Sequence, residues 1–193
     1  MRDSKLSIFK VLSVVISALV VLMFTGCPDL TSQDDELSVY GNWESNYLEQ
    51  FNITSETFFC GYAGSPTYEG DNVTVVFNED GISGYIYIKY TGINIYAYTD
   101  PNDASWTKIE YTYNNQTSVY WQKYVHSSND SADIGKWYAI SFKDLTDNSF
   151  SISGAAGSKE GHYATSCATL EEAKTEFTVE NGYFGAYSEV VKK

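Results

Sequence analysis

The sequence predicts an all-β protein: an antiparallel up-and-down β-barrel of about 8–10 strands with one short C-terminal amphipathic helix. Three observations predict this fold. Apolar and polar residues alternate with a period of two from Gly41 onward, tight turn sequences separate the alternating runs, and only one later segment has helical spacing. A barrel is favoured over a sandwich, because closure removes the edges that a sheet rich in Tyr and Ile would otherwise expose.

Two alternating runs define the predicted barrel interior. Ile86, Ile88 and Tyr90 share one face of a strand, and Ile109, Tyr111 and Tyr113 share one face of another. Because these are the more apolar faces of their strands, we expect all six side chains to point inward, where the tyrosines among them would suit a cavity for a small ligand. Further alternating runs occupy 72–78, 93–98, 119–125, 137–142 and 150–153, and turn signals occur at 79–81, 91–92, 114–115 and 147–148.

The helix is predicted near the C-terminus. Thr169 and Glu172 have the spacing of a capping box, and the apolar residues that follow are three or four positions apart. The helix should end before the Asn181-Gly182 turn, after which 183–187 would form a final strand. The longer predicted loops, where binding residues are most expected, are 61–71, 99–105, 126–135 and 154–168.

The first 26 residues have the features of an export signal. Three basic residues precede an apolar run from Val11 to Phe24, and Gly26-Cys27 follows it. This segment resembles the lipobox signal of bacterial lipoproteins, and Phe24, where Leu, Val or Ile is usual, resembles the relaxed signals of spirochaetes. The resemblance implies cleavage after residue 26, lipidation of Cys27 and a lipid anchor in the membrane of the bacterial cell envelope. An ordinary signal peptide or an uncleaved anchor helix is the alternative. Residues 27–40 are interpreted as the lipidated N-terminus and a flexible tether, and 41–193 as the barrel domain.

The first predicted strand carries a second resemblance. Gly41-Asn42-Trp43-Glu44-Ser45, followed by Phe51-Asn52-Ile53-Thr54, resembles the first hairpin of small lipocalin-like (calycin-type) bacterial lipoproteins. The resemblance implies a calyx of about eight strands, in which Gly41 and Trp43 are structural and Trp43 packs across the closed end.

Cys60 and Cys167 remain as an even pair once Cys27 is lipidated, so an exported protein could join them in a disulfide. A pair of free buried thiols is the alternative. No zinc-type spacing of Cys or His occurs, and the sequence contains neither a nucleophile elbow nor a phosphate-binding loop. No metal ion, cofactor or catalytic residue is therefore expected. The net charge of −13 argues against nucleic acid as a partner.

Three classes of function remain open at this stage. The first is a membrane-anchored calyx that binds a small, partly hydrophobic ligand. The second is a surface interaction or adhesion lipoprotein with a filled barrel, and an excess of Tyr, 17 in all, would suit its exterior. An enzyme is the third. Whether the barrel interior is open or filled would separate the first two.

Overall fold

A computed structural model describes residues 37–63 and 65–193. Eight antiparallel strands close a barrel and one short helix lies near the C-terminus, so the predicted fold class is confirmed. The elements of the described part are β1 (Gly41–Ser45), β2 (Gln50–Ile53), β3 (Thr57–Tyr62), β4 (Ser65–Phe77), β5 (Gly84–Ala97), β6 (Thr107–Tyr113), β7 (Gln116–Val125), β8 (Trp137–Lys143), β9 (Ser149–Gly154), α1 (Leu170–Glu176) and β10 (Ser188–Lys192).

The barrel is a meander with one hairpin inserted into it. Strands β1 to β5 are neighbours in order, β5 then pairs with β8, and β10 pairs with β1 to close the ring. Strand β5 is long enough to pair with two successive strands along one edge: 84–89 pair with β8, whereas 93–97 pair with β7. The β6–β7 hairpin therefore lies outside the ring and extends the sheet from the far half of β5.

The middle of the barrel is filled by side chains. Ile86 and Ile88 are fully buried there, as the alternation in β5 predicts, and Tyr90 is also buried. Trp43 donates a hydrogen bond from Nε1 to the carbonyl of Val39 at 2.8 Å, and its ring meets Phe150 edge-on at 4.7 Å. Gly41 begins this strand at φ +143°, a conformation that favours glycine, which accounts for glycine at this position.

Helix α1 packs on the outside of the barrel, against β8 and β5. Ala173 and Phe177 form its buried face, and both are inaccessible to solvent. The capping box is confirmed, since the Thr169 hydroxyl accepts from the Glu172 amide and the Glu172 carboxylate accepts from the Thr169 amide. The segment between helix and β10 is not the predicted strand at 183–187. Tyr183 and Phe184 are instead buried as irregular structure, and the last strand begins at Ser188.

The prediction that Ile109, Tyr111 and Tyr113 face the barrel interior is wrong. They lie on β6, the outer strand of the inserted hairpin, where Ile109 is half-buried and the two tyrosines are 58% and 64% exposed. Residues of β6 do alternate between two faces, but both faces belong to the hairpin outside the ring and neither faces the barrel interior. Period-two patterning reports which residues share a face and not what covers that face.

Three predicted boundaries also change. The turn predicted at 91–92 is absent, because β5 continues through it from Gly84 to Ala97. Residues 65–71 were expected in a loop but form the start of β4, whose register shifts twice near Gly70. The predicted tether reached residue 40, yet Val39 is 1% exposed and Leu37 packs against the core, so 37–40 belong to the barrel. The predicted signal peptide, Cys27 and the rest of the tether lie outside the described residues. The described part of the chain contains no helix that is both long and apolar enough to cross a membrane.

Candidate functional site

A cavity of about 480 Å³ lies at one end of the barrel, and we call it the end cavity. Six strands supply its inner wall, through the side chains of Phe51, Cys60, Tyr68, Tyr138, Ile152, Ser153 and Ser188. The opposite wall consists of small residues from the end of β9, at Gly154, and from two irregular segments, 155–157 and 182–186. Gly182, Gly185 and Ala186 are exposed, so the cavity opens to solvent on this side. Its volume lies in the range typical of small-molecule sites.

The small-residue wall is held together by backbone contacts. The amides of Ala156 and Gly157 both donate to the carbonyl of Tyr183, at 3.0 and 2.9 Å. A Cβ atom at Gly157 would lie 1.9 Å from the carbonyl oxygen of Gly182, so only glycine permits this approach. The two segments therefore form one continuous wall beside the mouth of the barrel.

Among the described residues, Glu49 is the single charged side chain that lines the end cavity. It enters from the β1–β2 turn, where Leu48 adopts φ +65° and Ser45 is hydrogen-bonded to Glu49 through both its backbone and its hydroxyl. This turn places the Glu49 carboxylate next to the Cys60 thiol, which donates to it at 3.3 Å. No ion pair within the described part of the chain includes Glu49.

The groups around this carboxylate keep their protons at neutral pH. Burial, and then the negative charge of Glu49, raise the pKa of the Cys60 thiol far above its ordinary value. Burial also raises the pKa of the Tyr68 and Tyr138 phenols, and the Tyr138 hydroxyl donates to the carbonyl of Ala155 at 3.2 Å. A protonated thiol and neutral phenols are weak nucleophiles, and the phenols offer rings and hydroxyls for non-covalent contacts.

The residues predicted to line a cavity do not line this one. Ile86, Ile88 and Tyr90 lie deeper in the barrel, in the filled part of the core, and Ile109, Tyr111 and Tyr113 lie on the hairpin. Sequence reasoning missed Glu49, Cys60, Tyr68 and Tyr138 as cavity residues. Two signals were available: Tyr138 belongs to an alternating run, and Tyr68 is an aromatic residue within the segment that was assigned to a loop.

The predicted disulfide between Cys60 and Cys167 is not formed, and both thiols are free. Cys60 faces the barrel interior, whereas Cys167 pairs with Trp137 through two backbone hydrogen bonds of 2.8 Å and lines a crevice beside α1. Strands β4 and β5 lie between β3, which carries Cys60, and β8, which carries Trp137. Burial and two nearby glutamates raise the pKa of Cys167 to about 11.

A second surface of interest lies on the inserted hairpin. The register places Tyr111 and Tyr113 on the same face as Ile109, Tyr120 and, from β5, Tyr96. We call this surface the tyrosine face. The Tyr111 and Tyr113 rings stack at 6.4 Å, the Tyr96 and Tyr120 rings meet edge-on at 5.9 Å, and Tyr96 is half-exposed. Such a contiguous aromatic surface is typical of an interaction site.

Comparisons of this chain with protein families, curated proteins and solved structures give no match. Within the described residues, no group of three or more His, Cys, Asp or Glu side chains is arranged to hold a metal ion.

Proposed function

We propose that this chain is a lipocalin-like lipoprotein of the bacterial cell envelope, anchored through Cys27, whose barrel binds a small, partly hydrophobic ligand. The observation that carries the ligand-binding part is the end cavity. Its inner wall combines apolar surface from Phe51 and Ile152 with the hydroxyls of Tyr68 and Tyr138. Walls of this kind bury the body of an amphipathic molecule while a few polar groups orient it.

A neutral fluorescent probe such as N-phenyl-1-naphthylamine tests the cavity directly. We expect saturable binding that an unlabelled apolar competitor reverses. Ser188 pairs with Ile152 in the barrel wall and lines the cavity, so Ser188→Phe should block the site. Ser118→Phe makes the same change at an exposed position of the hairpin and should leave binding intact. Unsaturable binding, or equal binding by both variants, would refute a ligand site in the cavity.

The anchor has its own test in the native host. Intact mass should show the loss of residues 1–26 and the addition of a diacyl or triacyl glyceryl group on Cys27. Cys27→Ser should release the protein from membranes. A mature protein that begins at another residue would contradict the lipoprotein part of the proposal and leave the cavity part standing.

The tyrosine face favours a second candidate function, a surface interaction through the hairpin. Exposed tyrosines combine large contact area with hydroxyls that form hydrogen bonds, which suits a sugar or protein partner. Tyr111→Ser combined with Tyr113→Ser should abolish adhesion of protein-coated beads to envelope or host-cell preparations, while probe binding in the cavity stays unchanged. Adhesion that survives this double substitution, or that never exceeds the level of uncoated beads, would exclude this function for the hairpin.

A further inference from the structure

Three polar side chains that line the end cavity use their donors within the chain. The Cys60 thiol already donates to Glu49, the Tyr138 hydroxyl to the carbonyl of Ala155, and the Ser153 hydroxyl to the carbonyl of Gly154. These lining side chains therefore have their donors engaged within the chain, whereas the Glu49 carboxylate retains unused acceptor positions. A ligand that complements this arrangement brings donors of its own.

The charge at the cavity has one sign. In the part of the chain that the structure describes, no Lys, Arg or His lines it and none makes an ion pair with Glu49. A half-buried carboxylate without a counter-charge is costly, and a cation that reaches it recovers part of that cost. The net charge of −13 reinforces this preference, since the field of the whole chain attracts cations and repels anions.

The inner wall is aromatic as well as apolar. Phe51, Tyr68 and Tyr138 contribute rings to it, and Tyr183 lines the opposite wall. Aromatic ring faces carry a negative potential and attract ammonium groups within about 6 Å. A carboxylate beside aromatic rings in an enclosed space is a chemical environment suited to an organic cation.

We propose that the ligand of the end cavity is a small organic ammonium ion, whose cationic nitrogen pairs with Glu49 and whose apolar body packs between the aromatic wall and the small-residue wall. This inference rests on the proposed ligand-binding function and specifies its chemical class. It also states what the cavity rejects: fatty acids and other organic anions, whose carboxylates would face Glu49 without a counter-charge.

Three probes that share one body and differ in head group test the inference by titration calorimetry: 4-phenylbutylammonium, 4-phenylbutanol and 4-phenylbutyrate. We expect the ammonium to bind about ten-fold or more tightly than the alcohol, and the carboxylate to bind weakest. Glu49→Gln keeps the shape of the side chain and should remove the preference for the ammonium while the alcohol still binds. Glu56→Gln, at an exposed turn, removes the same charge elsewhere and should retain the preference.

The possible failures are distinguishable. If the three probes bind wild-type protein equally and Ser188→Phe blocks all of them, the cavity binds ligands but the cation preference is wrong. If Glu49→Gln retains the preference for the ammonium, Glu49 is not its partner and the inference is overturned. If no probe shows saturable binding, both the inference and the proposed function fall. The wild-type comparison of ammonium with alcohol stands even if Glu49→Gln fails to fold.

Discussion

Trp43 shows how one side chain joins the start of the barrel to its core. Its ring packs against Phe150, its indole nitrogen holds the carbonyl of Val39, and the Lys192 ammonium lies over the ring at 5.5 Å. The contacts extend from the segment before β1 to β9 and β10. Removal of this ring therefore affects both ends of the chain as well as the core.

Trp43→Ala should lower the free energy of unfolding by about 3–5 kcal/mol, because it leaves a cavity and an unsatisfied carbonyl. Urea denaturation followed by circular dichroism measures this change. Tyr98→Ala removes an aromatic side chain that is 83% exposed and should change stability by less than about 0.5 kcal/mol. Similar losses for the two variants would contradict the packing described for Trp43.

Three aspartate substitutions separate the inside of the barrel from the hairpin. Ile88→Asp buries a carboxylate in the filled core and should destabilise the protein by several kcal/mol or prevent folding. Ile109→Asp, at a half-buried position on the otherwise exposed tyrosine face, should cost much less, while Lys108→Asp, at an exposed position, should be nearly silent. Thermal melting of the three variants gives the order directly. An Ile109→Asp variant as unstable as Ile88→Asp would place β6 in the core.

At this scale the sequence predicted the buried face of β5 correctly and that of β6 wrongly, for one physical reason. Both strands alternate, and in both the more apolar set shares a face. In β5 that face is covered by the rest of the barrel, whereas in β6 the equivalent face is the tyrosine face and remains open. Local patterning does not contain the information on coverage, because coverage depends on which strands pair.

Among the elements, the inserted hairpin depends on the length of β5. Strand β5 has 14 residues, but only 84–89 pair with β8. Its far half therefore has an edge that β8 does not cover. Strand β7 covers that edge and β6 then covers the edge of β7. The sequence predicted both strands and their turn, but three consecutive alternating strands in a ring have the same local pattern as a hairpin outside it.

Helix α1 is short, so its N-cap carries an appreciable share of its stability. Thr169→Ala removes the hydroxyl that accepts the Glu172 amide, and the free energy of unfolding should fall by about 1 kcal/mol. Thr169→Ser retains an accepting oxygen and should restore most of that loss. Denaturant titration distinguishes the two variants. If Thr169→Ser lowers the free energy of unfolding as much as Thr169→Ala does, the stabilisation comes from the methyl group and not from the hydroxyl cap.

For the whole molecule, buried phenols set the alkaline limit of stability. Burial raises the pKa of Tyr68 and of Tyr90 well above the ordinary value of 10. The folded state therefore holds these protons after the unfolded chain has released them. Stability should be independent of these groups below about pH 10 and should fall above it, by up to about 1.4 kcal/mol per pH unit for each tyrosine.

Urea denaturation at increasing pH measures this slope, and tyrosinate absorbance reports which phenols ionise before unfolding. Tyr90→Phe should make the alkaline decline shallower. Tyr98→Phe removes an exposed phenol and should leave it unchanged. A decline that is identical in wild type and Tyr90→Phe would mean that other groups control stability at high pH.

The candidate site was predictable in kind but not in its residues. Alternation and the lipocalin resemblance predicted a closed barrel with unfilled space towards one end, and the end cavity occupies such a position. Its residues could not be predicted, because Glu49 reaches it from a tight turn and Tyr68 from a segment whose Pro66 and Gly70 favour a loop assignment. The small-residue wall comes largely from two segments without regular structure, which no periodicity identifies.

Because β1 pairs with β10, the first and last strands of the barrel are neighbours. The chain order of the strands can therefore be changed without a change in their spatial order. Trp43 is paired with Lys192, and the amide of Lys193 donates to the carbonyl of Asn42 at 2.9 Å. A short glycine-rich linker could therefore join residue 193 to residue 37, with new ends opened in the Asn114-Asn115 turn of the hairpin. This circular permutant should fold to the same barrel and bind the same neutral probe, because the new ends interrupt neither the ring nor the end cavity. Loss of the fold on permutation would show that the meander must be synthesised in its natural order.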